Sequence, residues 1–288
     1  MKALILGGEG QVGRALALTV PAGSEAVALG RGQCDVTDEA ALTRAIRQSG
    51  AGLVLNAAAY TAVDRAEAEP EAAAALNAVA PGRIAAAARA AGARSVHIST
   101  DFVFGGAGTR PFRPDDATAP ASVYARTKLA GEAAAAAADP DALIVRSAWI
   151  HAPRGANFVT TMLRLMAERE TIGVVADQIG TPTAAASLAV ALWALAGRDA
   201  TGIWHYTDAG VASWYDFAVA IGEEARDAGL LARPVEVRPI GTADYPTPAA
   251  RPAFSVLDKT ATWDFLGEAA PHWRVNLRRT IRDVSVNG

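Results

Sequence analysis

The chain has 288 residues, a formal net charge of -3 and a pI near 5.8. It is 51% hydrophobic and 20% charged, enough to bury a sizeable core in one large domain or two smaller ones. The absence of any basic block excludes nucleic acid as an expected partner, the single cysteine, Cys34, excludes an intrachain disulfide, and no apolar run approaches the ~20 residues of a membrane span, so no membrane partner and a cytoplasmic location are expected.

Residues 3–6 form a short continuous apolar run, as expected for a strand buried on both faces of a parallel sheet. The run is too short for a signal peptide and passes straight into glycines. Gly7, Gly10 and Gly13 space a G-x-x-G-x-x-G loop that also holds Gln11 and Val12, and a helical stretch follows over 14–20. One glycine of such a loop makes the tight turn. One lets the backbone approach a pyrophosphate, and one lets helix pack on strand. The helix N-terminus then faces the phosphates. A second strand is predicted over 26–29. Folds of this kind often place an acidic residue at its end for the ribose 2′-hydroxyl, but here stands Gly30-Arg31. The arginine suits a 2′-phosphate and equally suits a solvated loop. Residues 34–36 read as a short third strand, with Asp35 and Val36 as candidates for the adenine end of a cofactor. A helix is predicted over 38–48, with Thr37 as its N-cap.

A fourth strand starts at Leu53 and runs through Asn56 into the small residues Ala57, Ala58 and Ala59, which allow close approach of a ligand. Thr61, Val63 and Asp64 follow, then an acidic helix start over 67–70. Asn77 lies in the next helix, which runs to about residue 91 and ends at Gly92. The fifth strand, 95–98, leads to Ser99 and Thr100. Beyond a Gly/Pro-rich loop, Tyr124 and Lys128 stand at helical i, i+4 spacing, so phenol and ammonium project from one face. A free phenol has a pKa near ~10, too high for acid–base work at neutral pH. A cation held close lowers it. Thr100 is placed to hold a carbonyl while Tyr124 gives it a proton. Taken alone, the Tyr/Lys pair also fits an ordinary helix surface. What adds weight is that Gly7, residues 56–59 and Ser99-Thr100 all fall at carboxyl ends of strands, where such sheets bind ligands.

A sixth strand is predicted over 143–147, after which the pattern loosens. Trp149 precedes a Gly/Pro loop. Asn157-Phe158 opens a helix to 169, and 178–183 is rich in turns. A helix over 184–196, a strand over 202–206, a helix from Ser213 to about 228, an irregular stretch over 245–252 and a helix over 276–284 complete the chain. The expected fold is α/β, a Rossmann-type doubly wound parallel sheet over 1–148. A smaller, mainly substrate-binding part covers 149–288, with about 184–206 packing back on the sheet. His97, His151, His205 and His272 lack ligand spacing, and Cys34 has no neighbouring histidine, so no metal site is expected.

The glycine loop, the strand-end Thr100 and the Tyr124/Lys128 pair together resemble the extended short-chain dehydrogenase/reductase family. Finer motifs narrow the resemblance: Asn56-Ala-Ala-Ala-Tyr-Thr-Ala-Val-Asp64, Ser99-Thr-Asp-Phe-Val-Phe104, Val123-Tyr-Ala-Arg-Thr-Lys-Leu-Ala-Gly-Glu132, Arg146-Ser-Ala-Trp149, Asn157-Phe158 and Tyr245-Pro-Thr-Pro-Ala-Ala-Arg-Pro252. These are similar to the dTDP-4-dehydrorhamnose reductase subgroup. The resemblance implies reduction of the 4-keto group of a dTDP-sugar with NADPH, or NADH. It implies Thr100, Tyr124 and Lys128 as the catalytic set and Lys128 also on the nicotinamide ribose. Gly7, Gly10, Gln11, Val12, Gly13, Arg31, Asp35, Val36, Ala57, Ala58, Ala59, Asn77 and Ser99 are implied around the cofactor. Thr61, Val63, Phe102, Trp149, Asn157 and Arg251 are implied around the sugar nucleotide. The subgroup usually has Tyr where this chain has Phe102, which loses a hydroxyl. Some of its members dimerise through a metal held by carboxylates, one of them where this chain has Ala15, so a monomer or weak homodimer is expected. A non-catalytic regulatory subunit similar to the methionine adenosyltransferase β subunit, and a related nucleotide-sugar reductase or epimerase, are the alternative readings.

Overall fold

The computed structural model describes residues 1–287. A six-stranded sheet of Lys2–Leu6 (β1), Glu25–Leu29 (β2), Leu53–Asn56 (β3), Arg94–Thr100 (β4), Leu143–Ser147 (β5) and Gly202–His205 (β6) lies at its centre. The spatial order is β6-β5-β4-β3-β1-β2, with every pairing parallel. The continuous apolar runs of β1, β3 and β5 are explained by burial on both faces. On one face Ile5, Leu55 and Val145 pack with Leu16 of helix Gln11–Leu18 (α1) and with Leu188, Leu192 and Trp193 of a later helix, Ala185–Gly197. On the other, Leu4, Leu6 and Val54 pack with Leu42 and Ile46 of Glu39–Ser49 (α2) and Ile84 of Ala80–Ala90 (α3). Each such fully buried side chain stabilises by roughly 1.5–3 kcal/mol.

Four local expectations are corrected. Residues 34–36 are not a strand. The Gly30 carbonyl accepts from both Gln33 and Cys34, and Asp35 Oδ1 accepts from the amide and hydroxyl of Thr37, so the chain turns there. The cap of α2 is Asp38, whose carboxylate accepts from Ala40 and Ala41, and not Thr37. Asn77 sits in a π-helical turn, Ala75–Val79, that interrupts the helix. α1 also begins three residues before its expected start, directly after Gly10.

The helix that carries Tyr124 and Lys128 is Val123–Ala138 (α4), capped by Ser122, whose Oγ accepts from the Ala125 amide. A second core joins Phe158–Glu168 (α5), Trp214–Asp227 (α6) and Trp273–Asn287 (α7) through Met162, Phe217, Ile221 and Leu277. The last helix thus starts three residues earlier than the sequence pattern indicated. Asn157 caps α5, and Ser213 caps α6 in a reciprocal box with Asp216. Among the described residues no helix is long and apolar enough to cross a membrane.

Candidate active site

The glycine loop leaves β1 where β3 leaves the sheet, because Leu6 and Asn56 are register partners. Gly7 has φ +77°, and a Cβ on it would lie 2.6 Å from the Ala58 amide nitrogen. Only glycine lets these two loops abut. A Cβ on Gly13 would lie 2.2 Å from the Gly7 carbonyl oxygen, so Gly13 sets how closely α1 packs on its own loop. Gly10 differs. Its nearest neighbour would be the Gly7 oxygen at 3.3 Å, and it forms the uncapped start of α1. That combination, an open glycine before free helix amides, has the room and the donors that a pyrophosphate needs and so fits a dinucleotide. Val12 packs against the core, and Gln11 reaches across to Asn157, whose Nδ2 donates to Gln11 Oε1 at 3.1 Å.

At the end of β2 the arrangement is more acidic than the sequence indicated. Arg31 is exposed and pairs with Asp35 at 3.3 Å, and Glu9 lies over Gly30, where a Cβ would come within 2.3 Å of its carboxyl carbon. The Thr37 hydroxyl and amide, then Arg31, hold the Asp35 carboxyl below its ordinary pKa. Val36 is buried in the core. Ala57, Ala58 and Ala59 form the half-buried loop after β3. Asn77 is buried beneath that loop and clamps it: Oδ1 accepts from the Tyr60 amide at 2.8 Å, and Nδ2 donates to the Tyr60 carbonyl and to Thr127 of α4. Its amide is engaged within the protein, so it supports the loop from behind.

Thr100 ends β4 and its hydroxyl accepts from the Phe102 amide at 3.2 Å while donating to Asp101 Oδ1 at 3.1 Å. Tyr124 lies opposite, its ring edge-on to Phe102 with centroids 5.7 Å apart. The Tyr124 ring keeps some exposure, yet protein crowds it, and burial pushes the phenol up to about 12. The Thr100 hydroxyl acts to lower it, and a charge on Asp101 would raise it. Lys128 is buried and otherwise engaged. Its Nζ donates to the Ile98 carbonyl at 2.6 Å and meets His97 Nε2 at 3.4 Å. The expected lowering of the Tyr124 pKa by Lys128 is therefore not met by the protein alone. Burial in turn pulls Lys128 down to about 8, with Glu132 acting to raise it. Ser99 is likewise turned inward, donating to Glu132, which forms a fully buried two-point pair with Arg146.

Phe102, Ser122, Ala125, Arg251 and Pro252 line a small cavity beside Tyr124. Arg251 makes a two-point pair with Asp64, at 2.7 and 2.9 Å, which straps residues 249–251 across Val63–Ala66. Val63, the first residue of that short helix, is half-buried, and Thr61 just before it is exposed. Trp149, at φ +45°, stacks flat on Trp214 with centroids 3.5 Å apart, against a surface that Gly180 leaves open. Asn157 is occupied as the cap of α5 and as the link to Gln11, so of the six expected substrate residues it is the one structurally engaged with the glycine loop. Among the described residues no three His, Cys, Asp or Glu side chains are grouped to hold a metal.

Residues 1–286 match the RmlD substrate binding domain family. The chain is 42% identical to the dTDP-4-dehydrorhamnose reductase of Burkholderia thailandensis, over 99% of both chains. It is 47% identical to that of Mycolicibacterium smegmatis, over 88% of this chain and 77% of that one. The crystal structure of a Bacillus anthracis dTDP-4-dehydrorhamnose reductase in complex with NADP superposes with a TM-score of 0.92, at 32% identity, over 98% of this chain and 99% of that one. The chain belongs to the dTDP-4-dehydrorhamnose reductase family.

Three polar residues of this family member escaped the sequence reading. Asp101 is fully buried beside Thr100, and burial lifts its carboxyl from 3.8 to about 7. The Ser255 hydroxyl and then that of Thr100 offset part of that rise. Asp64 was visible only as part of a motif, and its role comes from Arg251 far along the chain. His97 was set aside for lack of metal-ligand spacing. The signal available was the polar alternation Ser95, His97, Ser99 around the apolar Val96 and Ile98, which marks one face of β4 as polar.

Proposed function

We propose that the protein reduces the 4-keto group of dTDP-4-dehydro-L-rhamnose to give dTDP-L-rhamnose, with NADPH as reductant and Tyr124 as proton donor. The observation that carries this reading is the juxtaposition, in a member of this family, of the glycine cradle at the end of β1 with Thr100 at the end of β4, one strand away, and with Tyr124 of α4 packed on the Phe102 that follows it. The cofactor, when bound over Gly10, supplies the hydride that adds to C4. The residues of the chain handle the oxygen. Thr100 orients the carbonyl by turning its one O–H from Asp101 Oδ1 to the carbonyl oxygen, while the Phe102 amide holds the hydroxyl oxygen in place. Tyr124 transfers its phenolic proton to the oxygen as the C–O double bond becomes single, leaving a phenolate. Lys128 supports that phenolate and the nicotinamide ribose. Arg251 is the cation placed for the diphosphate, on release from Asp64. Phe102 packs on Tyr124 and excludes water from its ring edge.

NADPH oxidation by the purified protein with this keto-sugar nucleotide tests the reading, with the product identified by NMR. No oxidation with it or with related 4-keto sugar nucleotides would overturn it, and turnover of another member of that panel would overturn the substrate assignment.

A further inference from the structure

His97 is 3% exposed, and Asn56 and Lys128 are each 2% exposed. Asn56 and His97 are register partners on β3 and β4, which puts their side chains together on one face of the sheet. The Asn56 amide has only one consistent orientation. Its Oδ1 accepts from the Ala58 amide at 3.1 Å, so Nδ2 is the atom that meets His97 Nδ1, also at 3.1 Å. An amide NH₂ can only donate, so Nδ1 carries no proton. The neutral imidazole then has its proton on Nε2, and Nε2 faces Lys128 Nζ at 3.4 Å. An ammonium cannot accept that N–H. An amine can, while still donating to the Ile98 carbonyl at 2.6 Å. Every polar atom of this buried array is paired only if Lys128 is neutral.

We propose that His97 is a positioning residue that holds Lys128 as a neutral amine in the free protein, so that cofactor binding draws a proton from solvent onto Lys128 Nζ. The inference rests on the functional reading above only in requiring that a dinucleotide binds over this array. The cofactor brings phosphate charge and ribose hydroxyl acceptors, both of which favour an ammonium. Asn56 ties the two events together, since the same side chain holds the Ala58 amide in the cofactor loop. The other titratable groups around Lys128 do not supply this effect. Glu132, one turn along α4, opposes it but is paired with Arg146 of β5. Tyr124, one turn before, stays protonated, and Asp101 lies beyond Thr100. Burial of Lys128 acts in the same direction as His97.

The test is calorimetry of NADPH binding to the wild-type protein at pH 8.5, in two buffers of different ionisation enthalpy. At that pH the 2′-phosphate is fully ionised, its second pKa being near ~6, so it contributes no proton. Wild-type protein should take up about half a proton or more per NADPH. His97→Gln offers a carbonyl acceptor to the ammonium and should bring the uptake close to zero with its melting temperature little changed. His97→Leu removes the N–H but keeps Lys128 buried, so its uptake should fall between those of the wild type and His97→Gln. A merely structural histidine predicts equal uptake in all three proteins. NADPH binding without proton uptake by the wild type, or the same uptake in both variants, overturns the inference alone, and the wild-type result decides if neither variant folds. Absence of NADPH binding overturns the functional reading and this inference with it.

Discussion

Replacing Asp101 by Asn isolates the charge chemistry next to Tyr124. Asp101 is 1% exposed, and burial lifts its carboxyl from 3.8 to about 7. At 1.36 kcal/mol per unit that rise corresponds to about 4 kcal/mol. The sign follows from proton binding. Between pH 4 and 7 the unfolded chain loses this proton while the native protein keeps it, so the group's contribution to stability declines across that window and is flat above it. Asparagine has the same shape and no proton to lose. The stability of Asp101→Asn relative to wild type should therefore grow by about 3 kcal/mol between pH 4.5 and pH 7.5. Urea unfolding followed by circular dichroism at each pH gives this difference, and it cancels the titration of the histidines common to both proteins. A difference that stays constant with pH refutes the argument, because it would mean that Asp101 ionises inside the native protein as it does in the unfolded chain. The functional sense is that a carboxyl kept neutral beside Tyr124 does not oppose a phenolate there, whereas an ionised one would.

Two further expectations follow from the cofactor cradle. Gly10→Val should weaken NADPH affinity with little change in melting temperature, because only the Gly7 oxygen lies near its Cβ, whereas Gly13→Ala should cost roughly 1–3 kcal/mol of stability by pressing on that same oxygen at 2.2 Å; equal effects of both on melting temperature would contradict the different roles. Arg31→Ala should lower the NADPH-over-NADH ratio of kcat/KM by about ten-fold, as roughly 1.5 kcal/mol for a hydrogen bond to a charged group requires. Glu9→Ala should raise that ratio, since the Glu9 carboxylate lies over Gly30 at the same strand end; an unchanged ratio in both variants would place the 2′-phosphate elsewhere.

The central sheet was legible because its strands are buried on both faces, which writes them as unbroken apolar runs at 3–6, 53–55 and 143–145. The short segment 34–36 misled because Cys34 and Val36 are indeed buried, but under a turn held by Gly30 and Asp35 and not in a ladder. Helix starts were less legible than helix existence: Asp38 and Thr37 are both good caps, and only the backbone geometry selects Asp38. At the site, Gly7, Gly10, Gly13, Tyr124 and Lys128 were readable because their spacing is local. His97 was not, because it meets Asn56 41 residues before it and Lys128 31 residues after it. The Asp64–Arg251 strap spans 187 residues and left no local pattern at either end. Nor could spacing tell that Asn77 and Asn157 are engaged in holding loops, which is a matter of what surrounds them.

The most direct test of the account is turnover by Tyr124→Phe with NADPH and the 4-keto sugar nucleotide. The substitution keeps the ring that packs edge-on against Phe102 and removes only the transferable proton. The variant should melt as wild type does and bind NADPH as wild type does, while kcat falls by the ~100- to 10,000-fold typical of a lost general acid. A Tyr124→Phe protein with wild-type melting temperature and near-wild-type kcat would contradict the catalytic assignment.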